Sequence, residues 1–178
     1  CDALLMEFRR QVRTHGMGER LWQSYAGEVA AMTGDLRGLA DHLSRFQAAS
    51  RDDTSDCEVC EAGLTARFML ALGRKDEAID IAVELLKQGK YCGEEPWTLL
   101  AILTEDALNR RDLDAAERYA TAMLIQPVER PADLRRAGTL LRMEAAFGAG
   151  EDGIKLLIKC LPWTENLWDQ RLQFYFYL

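Results

Sequence analysis

Apolar residues recur along this chain at spacings of three and four, the interval that lines one face of an α-helix, and strand-type alternation is nearly absent. The pattern predicts an entry helix at about 2–14. Four helix pairs follow, at about 19–33 with 35–49, about 56–72 with 75–88, about 95–110 with 112–126, and about 131–148 with 151–161. A last helix is expected to start near Trp163. The four prolines all fall near these boundaries, where a missing N–H is tolerated.

The turns inside the pairs line up. They read "TGDLRGL" from Thr33, "LGRKDEA" from Leu72, "RRDLDAA" from Arg110 and "FGAGEDG" from Phe147, at offsets of 39, 38 and 37 residues. In the helix after each turn one column holds Leu39, Ala78, Ala116 and Gly153. Four residues on it holds Leu43, Ala82, Ala120 and Leu157, and three further on Phe46, Leu85, Met123 and Cys160. These spacings put all three columns on one helical face. In the helix before each turn, Ala26, Thr65, Leu103 and Leu140 form a mostly apolar column. Each pair leaves an apolar face uncovered, so pairs are expected to stack on one another, with the entry and last helices at the ends. An irregular helical bundle is the alternative architecture.

The pattern resembles the tetratricopeptide-repeat family over about residues 19–161. The best-matching stretch is "LTARFMLALGRKDEAIDIAVELLKQG", Leu64 to Gly89, with Ala66 and Ala78 where the family prefers small residues and Gly73 at the turn. The period is longer than the family's, and Trp22, Trp97 and Trp163 do not share a register. The resemblance implies an all-α fold: a right-handed α-solenoid of about four tetratricopeptide-like repeats with flanking helices, forming a single domain over residues 1–178. It also implies that the first helix of each pair lines a concave, peptide-binding face. Carried over in register, one groove column reads Glu28, Arg67, Glu105 and Arg142, charges of alternating sign. It suits either a peptide carrying both charges or a ladder of salt bridges between repeats. A second column, Ser24, Gly63, Ala101 and Gly138, is uniformly small and would let a ligand backbone approach closely. Tyr25 and Trp22 sit on the same first helix, as binding anchors or as core.

Net charge narrows the partners. With 22 Lys plus Arg against 29 Asp plus Glu, the formal net charge is −7, which argues against a general nucleic-acid or anionic-membrane binder. No apolar run approaches the roughly 18 residues that span a bilayer, and no secretory leader pattern is seen. Five cysteines, an odd number, suit a reducing compartment, so a cytoplasmic location is expected. A first residue that is Cys1 rather than Met, and a closing apolar run "QFYFYL", suggest a piece of a longer protein.

The candidate chemistry lies in "DCEVC", residues 56–60. "SDCE" reads as a capping box, with Ser55 as N-cap and Glu58 three residues on, which places Cys57 and Cys60 on one face of a helix start. A helix N-terminus favours thiolate, the form that binds metal or attacks. Cys92, in "YCGEEPW", falls one period after Thr54 and so at the same edge of the next repeat. Three thiolates and one more ligand make a structural zinc site. The alternatives are a disulfide or redox pair and reduced thiols packed as small hydrophobes. The cysteine spacing also resembles a group of bacterial repeat proteins with Cys-x-x-Cys and then Cys-x-Glu-x-Pro-His. Trp97 stands here where that group has His. His15, His42, Glu61 and Glu94 are the remaining candidates for a fourth ligand. Cys160 fits an apolar core column.

No phosphate loop, nucleophile elbow or His-Glu-x-x-His pattern occurs. The expected function is therefore a non-enzymatic scaffold for a protein or peptide partner. A ligand-responsive regulatory module of a larger protein and a thiol-dependent redox sensor using Cys57 and Cys60 are the alternatives.

Overall fold

The computed structural model describes residues 2–148, 150–165, 173 and 176. Cys1 and most of "QFYFYL" lie outside the described residues. Nine α-helices and no strand occur among the described residues: α1 (Asp2–Thr14), α2 (Glu19–Thr33), α3 (Leu36–Ala48), α4 (Glu58–Ala71), α5 (Lys75–Lys87), α6 (Trp97–Asn109), α7 (Leu113–Met123), α8 (Leu134–Phe147) and α9 (Gly150–Glu165). The chain divides into two compact units, Cys1–Gly93 and Glu94–Leu178.

In the first unit α2 packs on α3 and α4 on α5, while α2 and α4 also meet and α1 lies on α2. Val12, Trp22 and Ala26 form a buried cluster joined by Leu5, Phe8 and Leu21. Phe68 of α4 is buried against Gly27 of α2, where an added Cβ would stand 2.6 Å from two ring carbons. Arg20 holds α2 to the end of α3 by donating to the carbonyls of Phe46 and Ala49 at 2.8 and 2.7 Å.

The second unit repeats the scheme: α6 packs on α7 and α8 on α9, and α6 meets α8. Leu99, Leu100, Ala101, Leu103, Ala107, Ala116, Met123, Leu134, Ala137 and Cys160 are among its fully buried apolar residues. A short 3-10 turn, Pro131–Asp133, precedes α8. There Pro131 lacks an N–H, and the Asp133 carboxylate accepts from the backbone of Glu129 and Arg130 at 3.0 and 3.1 Å.

The turns inside the four helix pairs share one backbone device. Gly34, Gly73, Arg111 and Gly148 all have positive φ, between 61° and 76°. The residue after each of the first three donates its N–H to a carbonyl five positions back: Asp35 to Ala30, Arg74 to Met69 and Asp112 to Ala107. Asp35 and Asp112 then cap the following helix by accepting from the backbone of Gly38 and Ala115.

Two expectations need correction. The last helix does not begin anew at Trp163, because α9 continues through Pro162 to Glu165. Proline there removes the N–H that would bond the carbonyl of Ile158, and Ile158 is a well exposed residue. Leu157, placed in a core column by the repeat register, is 40% exposed, whereas Leu43, Ala82 and Ala120 are buried.

Candidate metal centre

Two loops and one helix start build the site. The loop before α4 is held by Asp52, whose Oδ1 accepts from the N–H and hydroxyl of Thr54 at 2.9 and 2.7 Å and from the Ser55 hydroxyl at 3.4 Å. The Thr54 side chain keeps the Asp52 carboxyl below its ordinary pKa. Thr54 Oγ1 in turn accepts from the backbone of Gly18, at the start of α2. Ser55 Oγ accepts from the Asp52 N–H, so it does not cap α4. The expected capping box is absent. Cys57 itself is the N-cap, with φ −60° and ψ 153°, and its sulfur accepts from the Cys60 N–H at 3.4 Å.

The second loop leaves α5 through Gly89 (φ 61°). Lys90 donates to the Leu85 carbonyl and Gly89 to that of Leu86, a Schellman ending that turns the chain sharply toward Cys92. This brings Cys92 Sγ to 3.2 Å from Cys60 Sγ, well beyond the roughly 2.05 Å of a disulfide bond. The sulfurs of Cys57, Cys60 and Cys92 all lie within 4.8 Å of one another. Thiolates on a tetrahedral zinc at about 2.3 Å stand about 3.8 Å apart, so three-sulfur coordination asks for small rotamer shifts and no change of backbone path.

The electrostatics are uneven. The Cys60 N–H holds the Cys57 thiol below its ordinary pKa, and Cys57 is the exposed member. Burial first, and then the two neighbouring thiols, push the half-buried Cys60 well above it. A divalent cation held by the three sulfurs would override that difference by making thiolate the favoured form at every ligand.

Next to Cys60 in the chain stands a charged cluster that no spacing pattern predicts. Glu61, one residue past Cys60, is buried. Arg20 Nε and Nη2 each donate to one of its oxygens at 2.8 Å. Arg51 Nη1 adds a close bond to Glu61 Oε2, and Arg51 Nη2 donates to the Asp56 carbonyl. Glu61 is thus an anchor rather than the ligand that its position suggested. The available sequence signal is a charged residue on the core side of an apolar helix, which has few alternatives to being paired.

The other candidate ligands are placed elsewhere. His42 Nδ1 lies 2.7 Å from Gln23 Oε1, and the ring stands edge-on to Trp22. Glu94 accepts from Arg130, and His15 sits in the turn after α1. Trp97 is buried at the start of α6.

Glu28 of α2 and Arg67 of α4 approach to 3.9 Å. In the second unit Glu105 accepts from Arg135 and Thr139 instead of Arg142, which donates to Asn109. Ser24, Gly63, Ala101 and Gly138 are buried, because small residues mark where helices press together. That column offers a ligand no access. Trp22 is core, but Tyr25 is 51% exposed.

No family model matches this chain, and no curated protein or solved structure matches it significantly.

Proposed function

We propose that this chain is a non-enzymatic scaffold of stacked tetratricopeptide-like helix pairs, a right-handed α-solenoid that binds a protein or peptide along its first helices. The observation that carries the reading is Tyr25. It is exposed, yet held edge-on against Phe8 of α1 with ring centroids 5.1 Å apart. Three residues on, on the same face, stands Glu28 beside Arg67. A rigid aromatic next to charges of both signs is the chemistry of an interface anchor, because it loses little entropy on binding. Glu105 and Arg142 complete the set read from the register, whereas Ser24 is buried in the helix packing, its hydroxyl donating to the Leu21 carbonyl, and leaves the set.

Cys57, Cys60 and Cys92 support a structural zinc ion that ties the loop before α4 to the loop after α5. Protein purified without added zinc would carry about one equivalent, and less than about half an equivalent would sink the staple. For the scaffold, the intact protein is used as bait beside Tyr25→Ala and Glu28→Lys. A partner held by the parent chain and lost with both variants is expected. A partner bound equally by all three would remove this face from the proposal.

A further inference from the structure

Cys57, Cys60 and Cys92 supply three donors to an ion that takes four. Among the described residues no fourth histidine, cysteine or carboxylate atom joins the group. Glu61, next to Cys60 in the chain, is committed, since both its oxygens accept from Arg20 and one also from Arg51. The histidine on α3 faces Gln23. Cys57 is exposed while Cys60 and Cys92 are half-buried, so the cluster opens to solvent on the Cys57 side.

Resting on the zinc reading above, we infer that the metal held by these three thiolates keeps its fourth position outward and takes there the imidazole of a histidine from another molecule. Charge selects the donor. A divalent ion with three thiolates carries a net charge of about −1. Asp56 and Glu58 stand exposed immediately beside Cys57. A carboxylate or thiolate in the fourth position would add another negative charge among these carboxylates. A neutral imidazole adds none and is an ordinary zinc donor. Three protein ligands with an open position is the arrangement that admits an exchangeable ligand, whereas purely structural sites are closed. The staple and the scaffold then meet: a partner's histidine would close the metal's coordination and add a directional bond to the docking surface.

Cobalt(II) in place of zinc, bound to the whole chain, reports this by visible absorption. The expected result is thiolate charge-transfer intensity with tetrahedral bands, then a saturable shift of those bands as free imidazole is titrated, at one per cobalt. Acetate should leave the bands in place. The variant His15→Gln/His42→Gln should begin from the same spectrum and respond in the same way, because neither histidine of this chain, or of a second copy, supplies the donor. Failure to bind cobalt overturns the zinc reading and this one together. Bound cobalt that imidazole leaves unmoved, or that imidazole strips with loss of the charge-transfer band, overturns the outward position alone. A double variant whose spectrum differs before any imidazole is added shows the fourth ligand to be internal. Saturation by acetate overturns the choice of a neutral donor.

Discussion

Arg20 grips both carboxylate oxygens of Glu61 at 2.8 Å, one residue past the half-buried Cys60. The two side chains are 13% and 7% exposed, so water weakens this pair little. Arg20 also stacks on the Phe46 ring, 4.2 Å from its centroid, and donates to two carbonyls at the end of α3. One side chain therefore joins α2, α3 and the start of α4.

Arg20→Ala leaves the Glu61 charge buried with Arg51 as its remaining partner. The expected loss is about 3 kcal/mol of unfolding free energy, read by urea titration. Arg20→Lys should recover little, because an ammonium cannot occupy the two-pronged geometry. The same variants should weaken zinc binding about tenfold, since the pair orients the turn that carries Cys57 and Cys60. Unchanged stability in Arg20→Ala would mean that Arg51 alone satisfies Glu61.

Gly27 of α2 lies against the Phe68 ring of α4. A methyl group there meets the Phe68 ring at 2.6 Å, and Phe68 is buried, so the ring can give way only by disturbing its packing. Gly27→Ala should destabilise by about 1–3 kcal/mol despite the better helix propensity of alanine. Phe68→Leu in the same background should restore part of that loss, because it removes the clash. Additive losses in the double variant would place the strain elsewhere.

The helices were legible because their cause is local: apolar spacing and turn residues act over a few positions. α2, α3 and α5 fall within a residue or two of their predicted ends. The cysteine cluster was also legible, because the offset between Thr54 and Cys92 is one repeat of the turn pattern. What escaped depends on contacts across long sequence separations. Glu61 meets Arg20 across 41 residues, and no spacing rule reaches that far. Ser55 fits the capping-box pattern, yet its hydroxyl serves Asp52, because the loop must also reach Gly18. The small column was read as open when it marks helix contact. The same composition serves both purposes, and burial alone separates them.

His42 gives a pH dependence with a defined sign. Burial is the largest cause of its lowered pKa. Arg45 adds to the lowering, Asp41 and Asp35 oppose it, and Arg9 contributes least. The folded chain thus favours neutral imidazole. A group whose folded pKa lies below its unfolded value of about 6.5 contributes stability above that pH, and this is lost as the pH falls toward the folded value. Unfolding free energy should therefore decline on acidification below about pH 6.5, and His42→Gln should flatten that decline. An NMR titration placing the His42 midpoint above 6.5 would reverse the sign and remove the prediction.

Chelation tests the staple apart from partner binding. Zinc binds the folded arrangement of three thiols, so free zinc at about a thousand times its dissociation constant should stabilise by about 4 kcal/mol. A strong chelator should lower the thermal midpoint of the parent chain. Cys92→Ser should melt at or below the chelated parent and be insensitive to chelator, because its two remaining thiols come from one helix start. A parent chain whose midpoint ignores both zinc and chelator would leave the thiols as packing groups.

Arg111 occupies the turn position that Gly34, Gly73 and Gly148 fill elsewhere, and it has the same left-handed backbone, φ 61°. A side chain with a Cβ pays about 1–2 kcal/mol for that conformation, which glycine avoids. The hydrogen bonds of the turn run through backbone atoms, from Arg111 to the Leu108 carbonyl and from Asp112 to that of Ala107, so replacing the side chain leaves them intact. Glycine also gains freedom in the unfolded chain, which offsets part of the benefit. The expected net effect of Arg111→Gly is a stabilisation of about 0.5–1 kcal/mol, a rise of a few degrees in the melting midpoint. Arg111→Ala separates the two contributions: it removes the long side chain but keeps the Cβ, and should change stability by less than about 0.5 kcal/mol. If alanine stabilises as much as glycine, the cost lies in the arginine side chain and not in the backbone.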